Sequence, residues 1–136
     1  TIDQPIGRHP TARQKMAVHP NGKHAITHVQ LLKRLHGYTL TQVDLDTGRT
    51  HQIRVHMYHI GHPLLGDNTY GKHRGYHRLD APLAQVILNF KRQALHAHRL
   101  AFKHPVDGHL CQFTAPIPAD MQNLIQALSP SEPPKG

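Results

Sequence analysis

Polar and apolar residues alternate along AITHVQLL, from Ala25 to Leu32, setting Thr27, Val29 and Leu31 on one side with the period of a β-strand. LLKRL, in the same region, also fits the start of a helix. Alternation is cleaner in YTLTQVDL, where Thr39, Thr41, Val43 and Leu45 share a face and are mostly β-branched. Asp46-Thr47-Gly48 reads as the turn that follows. The period then changes, because Ile53, Met57 and Ile60 stand at i, i+4 and i+7 and predict one apolar stripe of a helix. Thr50 is its expected N-cap, and Gly61 with Pro63 its stop.

Residues 1–23 hold Pro5, Pro10, Pro20, Gly7 and Gly22 and read as an ordered loop or arm without a regular element. GDNTYGKHRGY, after Leu65, is loop-like, and LAQVILNF fits either a short helix or a buried strand. LHAHRLAFKHP and HLCQFTAP predict a hairpin whose turn lies at Pro105 to Gly108, with Leu100 and Phe102 on one face and Cys111 and Phe113 on another. ADMQNLIQAL places Met121, Leu124, Ile125 and Leu128 at helical spacing. The pattern predicts an α+β fold over 1–128, a mostly antiparallel sheet with flanking helices, and a disordered tail at 129–136.

At 136 residues and 38% hydrophobic content the chain is expected to build one modest core. Sixteen Lys and Arg against eight Asp and Glu give a formal charge of +8, which suits a phosphate backbone, although a merely solvated basic surface has the same composition. One cysteine, Cys111, excludes an internal disulfide framework and fits a reducing compartment. With no apolar run long enough to span a bilayer and no secretory signal in the opening residues, a cytoplasmic location is expected.

GRTHQIRVHM concentrates the chemistry, with Arg49 and Arg54 flanking His51 and Gln52. His51, His56, His59 and His62 invite a metal reading, but His51 and His56 differ by roughly 500° on a helix and no HExxH, Cys pair or carboxylate cluster accompanies them. Neither GxxxxGK[ST] nor GxGxxG is present. Both serines fall in the expected tail and Cys111 in a strand, so no nucleophilic Ser or Cys is supported. The basic segment itself remains, with Arg54 in the first turns of its helix and Thr50 and Tyr58 as its surface neighbours.

DTGRTHQIRVHMYHIGHPLLGDNTYG closely resembles a signature of the RluA/RluD family of pseudouridine synthases, which isomerise uridines in large-subunit ribosomal RNA. PIGRHPTARQKMAV, RQALHAHRLAFKHPVDG and APIPADMQNLI resemble the same pattern in the same order, so the resemblance spans nearly everything except the tail and about 72–89. It implies part of the pseudouridine synthase catalytic fold, a reaction that flips a uridine out of its stack, an essential aspartate, and no cofactor or metal. It assigns to Arg54 the pairing that keeps that aspartate ionised and oriented. Ile53 and Leu95 then belong to the uracil pocket, Arg8, Arg13 and Lys15 to an RNA-facing arm, and Arg49, His51 and Gln52 to the cleft or the RNA backbone.

The family's aspartate motif, HRLDxxTSG, precedes the GRTHQIR segment, whereas the only acids before Arg54 here are Asp3, Asp44 and Asp46. HRLD does occur at 77–80, but downstream and followed by APLAQ, so Asp80 is expected to be an ordinary loop or helix-start acid. The resemblance thus predicts the C-terminal portion of a catalytic domain, inactive alone, with the carboxylate facing Arg54 supplied from elsewhere. Its expected partners are ribosomal RNA and either the N-terminal half of the same enzyme or a second copy meeting an exposed sheet edge or apolar face. The alternative is a non-catalytic RNA-binding remnant of that fold.

Overall fold

The computed structural model describes residues 1–12, 14–71, 81–97, 99–103 and 110–129, with the backbone alone at 81, 99–103 and 110–113. Its elements run β1 (Ile2–Asp3), β2 (Ile6–Arg8), β3 (Met16–Val18), β4 (Ile26–Arg34), β5 (Thr39–Leu45), α1 (Gln52–His59), α2 (Ala81–Asn89), β6 (Arg99–Lys103), β7 (Leu110–Thr114) and α3 (Ala119–Leu128). All strand pairs are antiparallel, in the order β1-β4-β5 with two separate two-stranded sheets, β2-β3 and β6-β7. This is the α+β architecture that the alternation predicted.

The two long strands carry the clearest sequence signal. β4 pairs with β5 from Thr27↔Leu45 to Arg34↔Thr39, with an irregularity between Leu31 and Lys33. Leu35 N–H closes the connection on the Tyr38 carbonyl at 2.9 Å, while Gly37 takes φ 71°, which glycine adopts without a Cβ penalty. Strand therefore wins over helix at LLKRL.

Residues 1–23 correct the expectation of an arm without regular structure. Ile6 is 2% exposed and anchors β2 against β3 in the register Ile6↔Val18, Gly7↔Ala17, Arg8↔Met16. Strands of two and three residues are too short to display a period, while their prolines lie in the connections. At Gly22 a Cβ would collide with the backbone of Ile6, so the chain can close there only on glycine.

Among the described residues the buried apolar side chains gather in two clusters. α2 and α3 supply Ile87, Phe90, Met121, Leu124 and Leu128, with Leu35 and Tyr38 packed against them. Ile6, Ala25, Val55 and Tyr70 make the second, between α1 and the β2-β3 hairpin. α2 resolves LAQVILNF as helix, and Met121, Leu124 and Leu128 are buried in α3 at the spacing anticipated. Ser129, placed in the tail by sequence, caps that helix: its hydroxyl donates to the Ile125 carbonyl at 2.6 Å and accepts from Lys33 Nζ at 3.0 Å.

In the last hairpin the backbone register sets Leu100 across from Phe113 and Phe102 across from Cys111. The predicted turn at Pro105 to Gly108 lies outside the described residues. Among those described, β5 is an edge strand, and Leu31 and Leu45 beside it are 50% and 45% exposed. No described helix is long and apolar enough to cross a membrane.

Candidate active site

α1 buries only part of the stripe its apolar positions suggested, with Met57 buried and Ile53 partly buried. Its buried residues are Gln52, Val55, His56 and Met57, whereas Ile60 is 43% exposed. Polar groups hold the helix to the sheet instead. Gln52 Oε1 accepts the Thr47 hydroxyl at 2.7 Å and the Arg49 N–H at 3.0 Å, while its amide nitrogen donates to the Ile26 carbonyl and to Thr27 Oγ1, both at 2.9 Å. His56, fully buried, sits 2.7 Å from Thr27 Oγ1 and donates from Nε2 to the Gln4 carbonyl at 2.8 Å. With their polar groups satisfied, Gln52 and His56 share the buried face with Val55 and Met57, which apolar spacing alone does not reveal.

Entry into α1 is also unlike the expectation. The N-cap is His51 rather than Thr50, in the left-handed region at φ 54° and ψ 23°, without a side-chain cap. Its Nδ1 lies 2.6 Å from the Tyr70 hydroxyl, and the two rings meet edge to face. A non-glycine residue in that region costs on the order of 1 kcal/mol or more, offset here by Tyr70 and the bonds on Gln52. At the other end Gly61 does stop the helix: with φ 84° it lets His62 N–H reach the Met57 carbonyl at 2.8 Å and Gly61 N–H the Tyr58 carbonyl at 3.0 Å.

The chain after α1 returns to deliver a carboxylate to Arg54. Gly66, at φ 79°, passes so close to the Arg92 carbonyl that no Cβ fits, and Ala94 N–H bonds the Leu65 carbonyl at 2.8 Å. Asp67 follows with its side chain fully inaccessible. Arg54 Nε donates to Asp67 Oδ2 at 2.9 Å and Nη2 to Oδ1 at 2.8 Å, a two-pronged pair. Thr69 and Tyr70 N–H add bonds to Oδ1 at 3.1 and 3.2 Å.

These contacts settle two charge states. Burial pushes the Asp67 carboxyl up, but the Arg54 hydrogen bonds and charge together with the Tyr70 and Thr69 N–H groups outweigh it and hold the group below its ordinary value. Arg54 is correspondingly raised by its bond to Asp67. Its guanidinium also lies 4.9 Å from the Tyr70 ring centre. A guanidinium carries five N–H donors, and among the described residues Asp67 takes two of them, on the Nε and Nη2 edge, which leaves the Nη1 side to a further acceptor.

The chain thus supplies one carboxylate that faces Arg54, Asp67, which the sequence reading did not single out. Asp67 stands in GDNTYG, a stretch whose glycines and asparagine read as loop and carry no motif for an ion pair.

A family profile described as RNA pseudouridylate synthase matches residues 1–59. The ribosomal large subunit pseudouridine synthase D of Pasteurella multocida is 52% identical over 128 residues, 93% of this chain and 40% of that protein. Its Escherichia coli counterpart is 47% identical over 129 residues, again 40% of its length. Among solved structures, human RNA Pseudouridylate Synthase Domain Containing 1 superposes with a TM-score of 0.69 at 29% identity, covering 96% of this chain and 52% of that one. The chain is thus similar to RNA pseudouridine synthases over nearly its whole length. It spans about 40% of the length of the curated relatives it matches.

Within this chain the residues expected to touch RNA separate. Lys15 stands 5.6 Å from the Tyr70 ring centre, so Lys15, His51, Arg54 and Tyr70 gather in one place. Arg8 is exposed on β2, and Arg49 donates from Nε to the His24 carbonyl at 2.8 Å. Gln52 is only 3% exposed and spends its amide on the sheet, which makes it a buried clamp in the fold. Ile53 and Leu95 are partly buried, the latter next to the Ala94–Leu65 bond that leads to Asp67. Arg13 and Asp80 lie outside the described residues. Among those described, no group of three His, Cys, Asp or Glu is placed to hold a metal ion.

Proposed function

We propose that this chain forms the Arg54 side of the active site in an enzyme that isomerises uridine to pseudouridine in large-subunit ribosomal RNA. One observation carries the reading: Asp67 clamps Arg54 along a single edge and leaves the opposite edge able to receive a second carboxylate. Asp67 is not the reacting group, since its side chain is inaccessible and already accepts four hydrogen bonds. The reacting aspartate comes instead from outside these 136 residues, and Arg54 keeps it ionised and aimed. The names of the relatives support the substrate, and the +8 charge suits it.

The portion carrying the aspartate docks on the open edge of β5 and the exposed Leu31 and Leu45, which are costly to leave in water. Acting on ribosomal RNA, the assembled enzyme works in the cytoplasm without a cofactor. Tritium release from RNA labelled at uracil carbon 5 tests the whole reading. The chain alone gives none, and adding the aspartate-bearing portion restores it; RNA binding without release after addition would favour a non-catalytic remnant.

A further inference from the structure

Beside α1, and apart from the Arg54–Asp67 pair, a cavity of about 460 Å³ opens between the helix and the β2-β3 hairpin, a volume in the range of small-ligand sites. Its lining includes His9, Lys15, Val55, Tyr58, His59 and Tyr70, with no acidic residue among the described ones. We infer that this groove binds an unpaired RNA nucleotide next to the one that reacts, its base stacked on Tyr58 and its phosphate held by Lys15 and the imidazoles of His9 and His59. The inference rests on the RNA reading above and adds to it a subsite with its own residues.

Three features argue for a nucleotide. Tyr58 is 50% exposed on the outer face of α1, so a flat apolar ring stands in water at the edge of a basic groove. Every base has a face that stacks on such a ring, and a cation alongside takes the phosphate, the usual pairing in single-strand binding. His9 has its proton placed for this task. Its Nδ1 accepts the Ala12 N–H at 3.0 Å and the Thr11 N–H at 3.3 Å, which puts the ring proton on Nε2 as a donor.

The third feature is continuity. Tyr70 lines the groove, sits beneath the guanidinium of Arg54 at 4.9 Å and lies 5.6 Å from Lys15 Nζ. Its hydroxyl accepts the Met16 N–H at 2.9 Å, fixing the hairpin wall to the site. A strand that presents one nucleotide to Arg54 therefore lays its neighbour along the groove.

The test measures binding of a short oligouridylate and of a structured ribosomal RNA stem-loop to the full chain over a range of salt. Tyr58→Ala is expected to weaken oligouridylate binding about tenfold while Tyr58→Phe leaves it unchanged. Lys15→Ala is expected to lower the salt slope by about 0.7. With 4-thiouridine in the probe, the photoadduct falls on the peptide holding Tyr58. Native affinity and slope in Tyr58→Ala and Lys15→Ala would overturn the groove while leaving the RNA reading intact. Failure of the native chain to bind either RNA would overturn both.

Discussion

Arg54 and Asp67 meet edge to edge through two parallel hydrogen bonds of 2.9 and 2.8 Å, with the carboxylate shut off from solvent. Removing one partner of a buried pair strands the other, which costs far more than the pair gains over apolar residues. Asp67→Asn is therefore expected to lower unfolding free energy by about 3 kcal/mol in urea titrations, and a loss below about 0.5 kcal/mol would show the pair to be dispensable.

The same pair gives acid sensitivity with a defined sign. Because the folded-state Asp67 carboxyl lies below its ordinary 3.8, its contribution is full above that value and fades as the pH falls through the lower folded value. Stability measured against pH should drop more steeply below about 4 in the native chain than in Asp67→Asn. Parallel acid limbs would mean that Asp67 is not held down in the fold.

Gly66 and Gly48 offer a matched comparison. Gly66 combines φ 79° with the Arg92 carbonyl where a Cβ would go, whereas nothing lies within 4 Å of a Cβ at Gly48. Gly66→Ala should cost more than about 2 kcal/mol and disturb Asp67 next to it, and Gly48→Ala should stay within about 0.5 kcal/mol. Equal melting temperatures for the two variants would contradict the close approach.

Gln52 separates structure from RNA contact. Replacing its amide by leucine leaves the Thr47 hydroxyl, the Arg49 N–H, the Ile26 carbonyl and Thr27 short of a partner. Gln52→Leu is expected to lose about 2–3 kcal/mol of stability with RNA affinity of the folded fraction unchanged. A native melting curve with weakened RNA binding would return Gln52 to the RNA face.

The sequence was legible where a period runs long enough to repeat: β4, β5, α3 and the strands of the last hairpin show it. It was illegible where a few residues act through partners far along the chain. β2 and β3 are three residues each, and Ile6 is buried by packing that no local period encodes. Gln52 and His56 look like surface residues until Thr27 and Gln4 come round to satisfy them. Arg54 was singled out by its motif, but Asp67 stands thirteen residues later in a glycine-flanked loop. The available cue was GDNTYG itself: a glycine that can turn tightly, then an acid able to bond the N–H groups two and three residues on.

The central claim is that Arg54, braced by Asp67, serves chemistry rather than RNA affinity. Its most direct test is tritium release by the assembled enzyme carrying Arg54→Lys, a change that keeps the charge but loses the two-edged geometry. Turnover should fall by about 100-fold or more while RNA affinity stays within about threefold. Turnover preserved alongside a large loss of RNA binding would contradict the claim and make Arg54 an RNA-binding residue.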